Sequence, residues 1–393
     1  MAILSVNAGS SSLKFSLHQL NGHEVGATWL SGSFEGLEPH GQPSLRYTRP
    51  GQPTHEEALS GSGAPFDLAL GRLATLLGSW SDMPQWEAVS HRVVHGGPDY
   101  KKAVRVTQEV LAQLSLLNGL APLHQPHNLA GIRAFMRAFP NMPQVACFDT
   151  AFHTAQDPQE QRFALPAQLS EQGVRRYGFH GLSYQFIMQT LQQQSGRAQG
   201  RVIMAHLGNG ASLCGAWQSQ SRTSSMGFSA LDGLMMGTRS GALDPGVLLY
   251  LLEQGWTHEQ IQRLLYKESG LLGVSGISAD MRQLRASDQA TAALAIDLFE
   301  RRVVRECGAV MAVLQGLDVL AFSGGIGEHD GALRLRVCRD LAWAGVHIDP
   351  TLNQQARGDR PVAIQAIDSP VEIWVIPTDE GRIAAQEAAR CLS

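Results

Sequence analysis

Ala2-Ile-Leu-Ser-Val6, then Asn7-Ala-Gly9-Ser10-Ser11-Ser12, then Leu13-Lys14-Phe15-Ser16-Leu17 is the stretch on which the fold turns. It reads as two short strands joined by a turn of small residues. Leu13, Phe15 and Leu17 alternate with Lys14, Ser16 and His18, the period of a half-buried strand. The design returns in the other half of the chain as Arg201-Val-Ile-Met-Ala205, His206-Leu207-Gly208-Asn209-Gly210-Ala-Ser212 and Leu213-Cys-Gly-Ala-Trp217. Glycine at such a tip lets backbone N–H groups face an anion with no Cβ in the way. Hydroxyls and Lys14 add donors and charge.

P-loops and dinucleotide fingerprints run from strand to helix, and neither pattern fits here. One glycine turn alone is an ordinary tight hairpin. Two alike argue for a duplicated nucleotide-binding fold of the actin, sugar-kinase and Hsp70 type. A third segment agrees. Leu317-Asp-Val-Leu-Ala-Phe322 reads as a strand, followed by Ser323-Gly324-Gly325-Ile326-Gly327-Glu328-His329. Its glycines allow close approach by a flat ligand or a phosphate, although a glycine-rich helix start reads equally well.

The chain has 393 residues, 44% hydrophobic and 17% charged, enough for two domains with sizeable cores and against disorder. A net charge of −4 argues against nucleic acid or an anionic membrane as a main partner. Cys147, Cys214, Cys307, Cys338 and Cys391 are odd in number and form no CxxC, which points to a reducing compartment. No basic segment with an apolar run precedes the first strand, and no uncharged apolar run reaches spanning length. The expectation is a soluble cytoplasmic protein.

Residues 31–65 read as irregular loops or short edge strands, and residues 122–138 as helical after Pro122. Ser195–Gly200 is a polar break expected near a domain boundary. A long helix is expected from an N-cap at Ser287 to Gly316, with the stripe Ile296, Phe299, Val303, Cys307, Val310 and Leu314 facing a core. A strand over Val371–Ile376 and an alanine-rich helix close the chain.

Four clusters carry chemistry between the hairpins. They are Ser90-His91-Arg92-Val93-Val94-His95-Gly96-Gly97, Pro122-Leu123-His124-Gln125-Pro126-His127-Asn128, Phe148-Asp149-Thr150-Ala151-Phe152-His153 and Arg175-Arg176-Tyr177-Gly178-Phe179-His180-Gly181. A metal site is the rival for so many histidines, but no pair has an acidic neighbour at zincin-like spacing. His91, His95, His127 and His153 read as structural just as well. Phosphoryl transfer gives these residue types one purpose, because it is catalysed mainly by positioning and charge stabilisation. Arginine matches carboxylate and phosphate bidentately, so Arg92 and Arg239 are candidates to frame an anionic acceptor and the group it receives.

With Met235-Met-Gly-Thr-Arg-Ser-Gly241 added and the Pro122–Asn128 cluster set aside, seven segments in register over nearly the whole chain resemble those of the acetate kinase family. The resemblance implies α/β architecture with two duplicated actin-like (ribonuclease H-like) domains and a nucleotide cleft between them. Residues 1–150 plus 380–393 would form the carboxylate-side domain, and 151–379 the nucleotide-side domain. It implies ATP and acetate interconverting with ADP and acetyl phosphate, with Mg²⁺ (or Mn²⁺), in a homodimer. Residue by residue, it gives Arg92 the acetate carboxylate, Asp149 the neighbourhood of the transferred phosphoryl, and His180 with Arg239 the transition state. Asn7 and Glu380 fall at the metal. Lys14, His206, Leu207, Gly208, Asn209 and Gly210 fall at the phosphates. Asp280, Met281 and Arg282, with Gly325, Ile326, Gly327, Glu328 and His329, fall at the nucleoside. Val94, Leu123 and Phe179 line the methyl pocket.

Two departures stand out. Thr223 stands where the family has aspartate, and Ala230 where it has the proline of the methyl pocket. A looser pocket makes propionate the alternative acceptor. An actin-like chaperone or assembly ATPase needs an appendage for which the motifs leave no room. A sugar kinase does not explain the framing arginines.

Overall fold

The computed structural model describes residues 1–22 and 24–393. The chain divides into two compact units, residues 1–151 with 379–393, and residues 152–378. Each is built on its own twisted sheet.

The first unit holds β1 (Ala2–Ala8), β2 (Ser12–Asn21), β3 (Glu24–Glu35), β4 (Ser44–Thr48), β5 (His55–Ala58), β6 (Trp86–Val93), β7 (Val104–Arg105) and β8 (Gln144–Phe148). Their order is β5-β4-β3-β2-β1-β6-β8-β7. The second unit holds β9 (Arg201–Leu207), β10 (Ala211–Trp217), β11 (Gln220–Ser224), β12 (Val319–Ser323), β13 (Val362–Ala363) and β14 (Glu372–Val375), ordered β11-β10-β9-β12-β14-β13. The two patterns superimpose in sequence order. Antiparallel β3-β2-β1 matches β11-β10-β9, parallel β6 and β8 match β12 and β14, and an antiparallel edge strand closes each. This is the duplicated actin-like plan, and both hairpins lie where the sequence put them.

The central strands are buried on both faces; β12 reads as a nearly continuous apolar run, and β1 is buried along its length except at the half-buried Asn7. In β2, Leu13, Phe15 and Leu17 are buried and Lys14 is exposed, as the alternation predicts. His18 departs from it, being fully buried. The strand slips register at Leu17/His18, and the terminal helix Glu380–Leu392 covers that face. A side chain at Gly381 would lie 3.3 Å from His18 Nε2. Leu4, Val6, Phe15, Leu73 and Phe135 share one core cluster, each side chain stabilising the unit by roughly 1.5–3 kcal/mol. Val202, Met204, Tyr184, Ile187 and Ala321 form the corresponding cluster in the second unit.

Several boundaries moved. The long helix spans Ala290–Leu314 with its predicted stripe buried, but it starts three residues after Ser287. The Ser287 hydroxyl accepts from Gln289 N at 3.3 Å, a local turn in place of a helix cap. Residues 31–65 follow the second of the two expected readings, supplying the end of β3 and the short edge strands β4 and β5. Ser195–Gly200 lies inside the second unit, joining helix Gly181–Gln194 to β9. The helix after Pro122 spans Gln125–Ala138. Among the described residues no helix is long and apolar enough to cross a membrane.

Candidate active site

In the first unit the site grows from the ends of β6 and β8. These strands run parallel with Val93 opposite Phe148, so Arg92 and Asp149 emerge side by side. Asp149 N donates to Val93 O at 3.0 Å, continuing the ladder past the strand. Arg92 Nε reaches Asp149 Oδ1 at 3.0 Å and Nη2 reaches Oδ2 at 2.7 Å, a bidentate fork. Arg92 Nη1 faces Glu380 Oε2 at 3.4 Å. Burial alone would lower the Arg92 guanidinium, but the charges of Asp149 and Glu380 outweigh it and hold its titration above the ordinary arginine value.

Asn7 lies opposite Lys14 in the β1–β2 ladder, next to the exposed tip at Gly9-Ser10-Ser11. Asn128 ties this tip to the neighbouring strand. Its Nδ2 donates to Ala8 O at 2.8 Å and its Oδ1 accepts from Val94 N at 3.0 Å. Val94 is buried and Leu123 half-buried. Of the four histidines read as structural, His91 pairs with Gln144 Oε1 at 2.7 Å, His95 Nδ1 accepts from Gly97 N at 2.8 Å, and His153 sits between Ser221 and Phe179 O. His127 is exposed.

In the second unit the β9–β10 hairpin is the centre. Gly208, Asn209 and Gly210 form its tip, with Gly208 N donating to Gly210 O at 3.1 Å. A methyl at Gly210 would lie 3.3 Å from His180 Nε2 and 3.7 Å from Arg239 Nη2. Imidazole and guanidinium therefore converge on this tip. The tip glycines Gly9, Gly208 and Gly210 have ordinary negative φ, so it is space rather than backbone strain that favours glycine at Gly210. Arg239 Nη1 is anchored on Ala230 O at 2.8 Å. His180 and His206 stack with centroids 4.4 Å apart, and Leu207 is buried in β9.

The third glycine segment opens a helix, Gly324–His329, rather than a free turn. Gly324 has φ +74, and a side chain there would lie 2.7 Å from Leu207 O. The position demands glycine on both counts. A methyl at Gly208 would lie 3.8 Å from Gly325 N, so the two glycine turns adjoin. Glu328 is a brace rather than a free carboxylate. It accepts from Gly324 N at 2.8 Å and Thr378 N at 3.2 Å, and burial raises its titration against those bonds. His329 stays exposed.

Asp280 caps helix Met281–Arg285, accepting from Arg282 N, and pairs with the exposed Arg282 side chain at 2.6 Å. Hydrogen bonds from Arg282 lower its titration. Met281 is buried. Arg285 Nε reaches Asp330 Oδ2 at 3.0 Å, linking this helix to the segment after His329. Phe179 is buried, and Thr223, at the position where the resemblance would place aspartate, donates its Oγ1 proton to the Glu160 carboxylate at 2.7 Å.

Sequence reasoning passed over Ser183, Tyr184, Ser212 and Thr378, which hold the two stacked imidazoles. Ser183 and Tyr184 follow His180 within one helical turn, and Ser212 faces His206 across the hairpin, so spacing alone put them within reach.

The Acetokinase family profile matches residues 2–386. An acetate kinase of Rhodopseudomonas palustris is 47% identical over 391 residues, covering 99% of this chain and 98% of that protein. One of Nitrobacter hamburgensis is 45% identical over 402 residues, covering 100% and 96%. Among solved structures, Porphyromonas gingivalis acetate kinase superimposes with a TM-score of 0.87 at 34% identity over the whole of both chains. A propionate kinase of Francisella tularensis does so with 0.90 at 34% identity, over 98% of each. With its duplicated sheets, its convergent glycine turns and relatives matching from end to end, this chain belongs to the acetokinase family.

Proposed function

We propose that the protein catalyses reversible, direct in-line phosphoryl transfer between ATP and acetate, giving ADP and acetyl phosphate. The observation that carries this is the convergence of His180 Nε2 and Arg239 Nη2 on the Gly210 tip. Donors preset where a phosphoryl group develops charge are what the reaction needs. The second unit takes the nucleotide. Its Gly208–Gly210 tip supplies phosphate donors, and the Gly325–His329 helix with Asp280–Arg282 takes the nucleoside; Lys14, on the first unit, is a separate candidate phosphate contact.

The first unit takes the acid. Asp149 and Glu380 hold Arg92, whose fixed guanidinium attracts the carboxylate. Among the described residues no group of three or more His, Cys, Asp or Glu is arranged to hold a metal. Asn7 and Glu380 offer oxygen donors only, and Glu380 keeps 22% of its side chain exposed. That set fits a hard cation completing its shell with water, Mg²⁺ or Mn²⁺. When bound, the cation offsets charge on the phosphate oxygens.

Purified protein is expected to form acyl hydroxamate from acetate with Mg-ATP and hydroxylamine. No product from acetate, propionate or butyrate would overturn the reading. Propionate is the second reading, favoured by alanine at 230 and by the likeness to a propionate kinase.

A homodimer in the cytoplasm completes the proposal. All five cysteines are unpaired thiols. Helices Pro245–Glu253 and His258–Lys267 bury no residue, and Leu249, Tyr250 and Leu252 stay 63%, 58% and 52% exposed, an apolar face suited to a second copy. Light scattering of Leu249→Asp should show monomer where the unaltered protein shows dimer.

A further inference from the structure

Two short hydroxyl chains end on the stacked imidazoles. Tyr184 Oη contacts Ser212 Oγ, which in turn lies 2.8 Å from His180 Nδ1. Thr378 Oγ1 donates to Ser183 Oγ at 3.0 Å, and Ser183 Oγ lies 2.8 Å from His206 Nδ1. Both Nε2 atoms face the hairpin tip. A methyl at Gly210 would sit 3.3 Å from that of His180, and one at Gly208 3.9 Å from that of His206.

Counting donors fixes the protons of the first chain. Tyr184 is fully buried, and burial pushes its titration well above the ordinary phenol value, so it keeps its proton. Among the described residues its hydroxyl has one hydrogen-bond partner, Ser212 Oγ. A buried O–H must donate, so Tyr184 donates to Ser212. Ser212 is equally buried and among the described residues its hydroxyl reaches Tyr184 and His180 alone, so its own proton goes to His180 Nδ1. Nδ1 is thereby the acceptor and Nε2 carries hydrogen. Protonating Nδ1 as well would set two donors against Ser212 and leave the serine proton without an acceptor. In the second chain Thr378 fills the role of Tyr184 and Ser183 that of Ser212.

We propose that Ser212 and Tyr184 are positioning residues that hold His180 as the neutral tautomer with an Nε2–H donor aimed at the phosphoryl group, and that Ser183 and Thr378 do the same for His206. The inference deepens the function proposed above and rests on it for the role of the donor. Two imidazoles stacked beside the Arg239 guanidinium are best accommodated uncharged, since like charges at this separation repel. Arg239 and the His206 imidazole face His180 across the hairpin tip, and the Tyr184 phenol stands behind it.

The test is the ¹⁵N spectrum of histidine-labelled protein near neutral pH, with His180→Gln used for assignment. His180 is expected to show an unprotonated Nδ1 and a protonated Nε2. In Tyr184→Phe the Nδ1–H form should appear, because Ser212 is freed to accept. In that variant kcat should fall by about tenfold, a fraction of the 10²–10³ that follows outright loss of such a donor. The Michaelis constants should move by less than about twofold, since the loss falls on the transition state. Ser212→Ala should give the same pattern more strongly. An Nδ1–H tautomer in the unaltered protein overturns the proposal without any variant. So does Tyr184→Phe with unchanged tautomer and kcat, which would make the phenol mere packing. Lack of turnover with every acid would sink the proposed function instead, while the spectrum would still report the tautomer.

Discussion

Arg92 holds Asp149 through two roughly parallel N–H···O bonds, of 3.0 and 2.7 Å, between groups on adjacent parallel strands. The carboxylate is almost fully buried, with 2% of its side chain exposed. The face of the guanidinium expected to meet the acid's carboxylate is thus already engaged, and its remaining edge looks toward Glu380. Arg92 fixes Asp149, and in the proposed reaction it would also attract the acid.

Arg92→Leu should damage more than affinity for the acid. Removing one partner leaves a buried charge unpaired, a loss on the order of 3 kcal/mol. The melting temperature should fall, kcat should drop, and KM for acetate should rise while KM for ATP stays nearly constant. Adding Asp149→Asn should restore part of the lost stability. If calorimetry finds the single and double variants equally stable, the two residues do not depend on each other.

Asp149→Asn is sterically neutral and removes the charge that the proposed function places beside the transferred phosphoryl. kcat should fall by on the order of 10²-fold or more with the circular dichroism unchanged. Near-normal turnover would make Asp149 a structural partner of Arg92 and nothing else.

Chelation of divalent cations should abolish turnover yet leave the melting transition without nucleotide nearly unmoved. Asn7 and Glu380 are held by the sheet and by Arg92 rather than by a cation. A large fall in melting temperature on adding EDTA alone would reveal a structural metal instead.

Ala230→Pro should shift kcat/KM from propionate toward acetate by several-fold, since one methylene in an apolar pocket is worth roughly 1–3 kcal/mol. The carbonyl of residue 230 that anchors Arg239 survives the change, so kcat for acetate should hold. An unchanged ratio would mean that residue 230 does not set the pocket's size.

Acid should weaken the first unit through His18 and His91. Burial is the leading cause that lowers each from 6.5 to about 4. Between those values the unfolded chain binds protons that the native state does not, so stability rises with pH across the window and is lost as pH falls from about 6.5 to about 4. Proton uptake on unfolding at pH 5, read from the slope of unfolding free energy against pH, should shrink by about one proton in His91→Gln. An unchanged slope would show that His91 is charged in the native protein.

Both hairpins were legible because a strand–small-residue tip–strand pattern is local, and its repetition named the fold. The helix stripe from Ile296 to Leu314 was legible for the same reason. What escaped was non-local. His18 fits a polar face until a helix from the far end of the chain covers it. Ser287 looks like a cap until its hydroxyl turns to Gln289. Arg92 and Arg239 stood out as arginines able to match an anion, while the roles given to Asp149 and His180 came from resemblance, and the hydroxyls behind His180, though within reach by spacing, had no chemistry attached to them until β10 stood beside helix Gly181–Gln194.

The helix that closes the first sheet is made after both sheets. Gly381 O accepts from Ser5 Oγ, Ala384 O from Cys147 Sγ, and Arg382 donates to the carbonyls of Val25 and Gly26. On a ribosome, residues 1–151 emerge before the second unit yet lack this helix until residues 152–378 have followed. The usual order of domain maturation is therefore inverted. The nascent first sheet must wait with one apolar face open to chaperones or to wrong partners, and a chain stalled anywhere before residue 380 leaves a finished second unit tethered to an unfinished first.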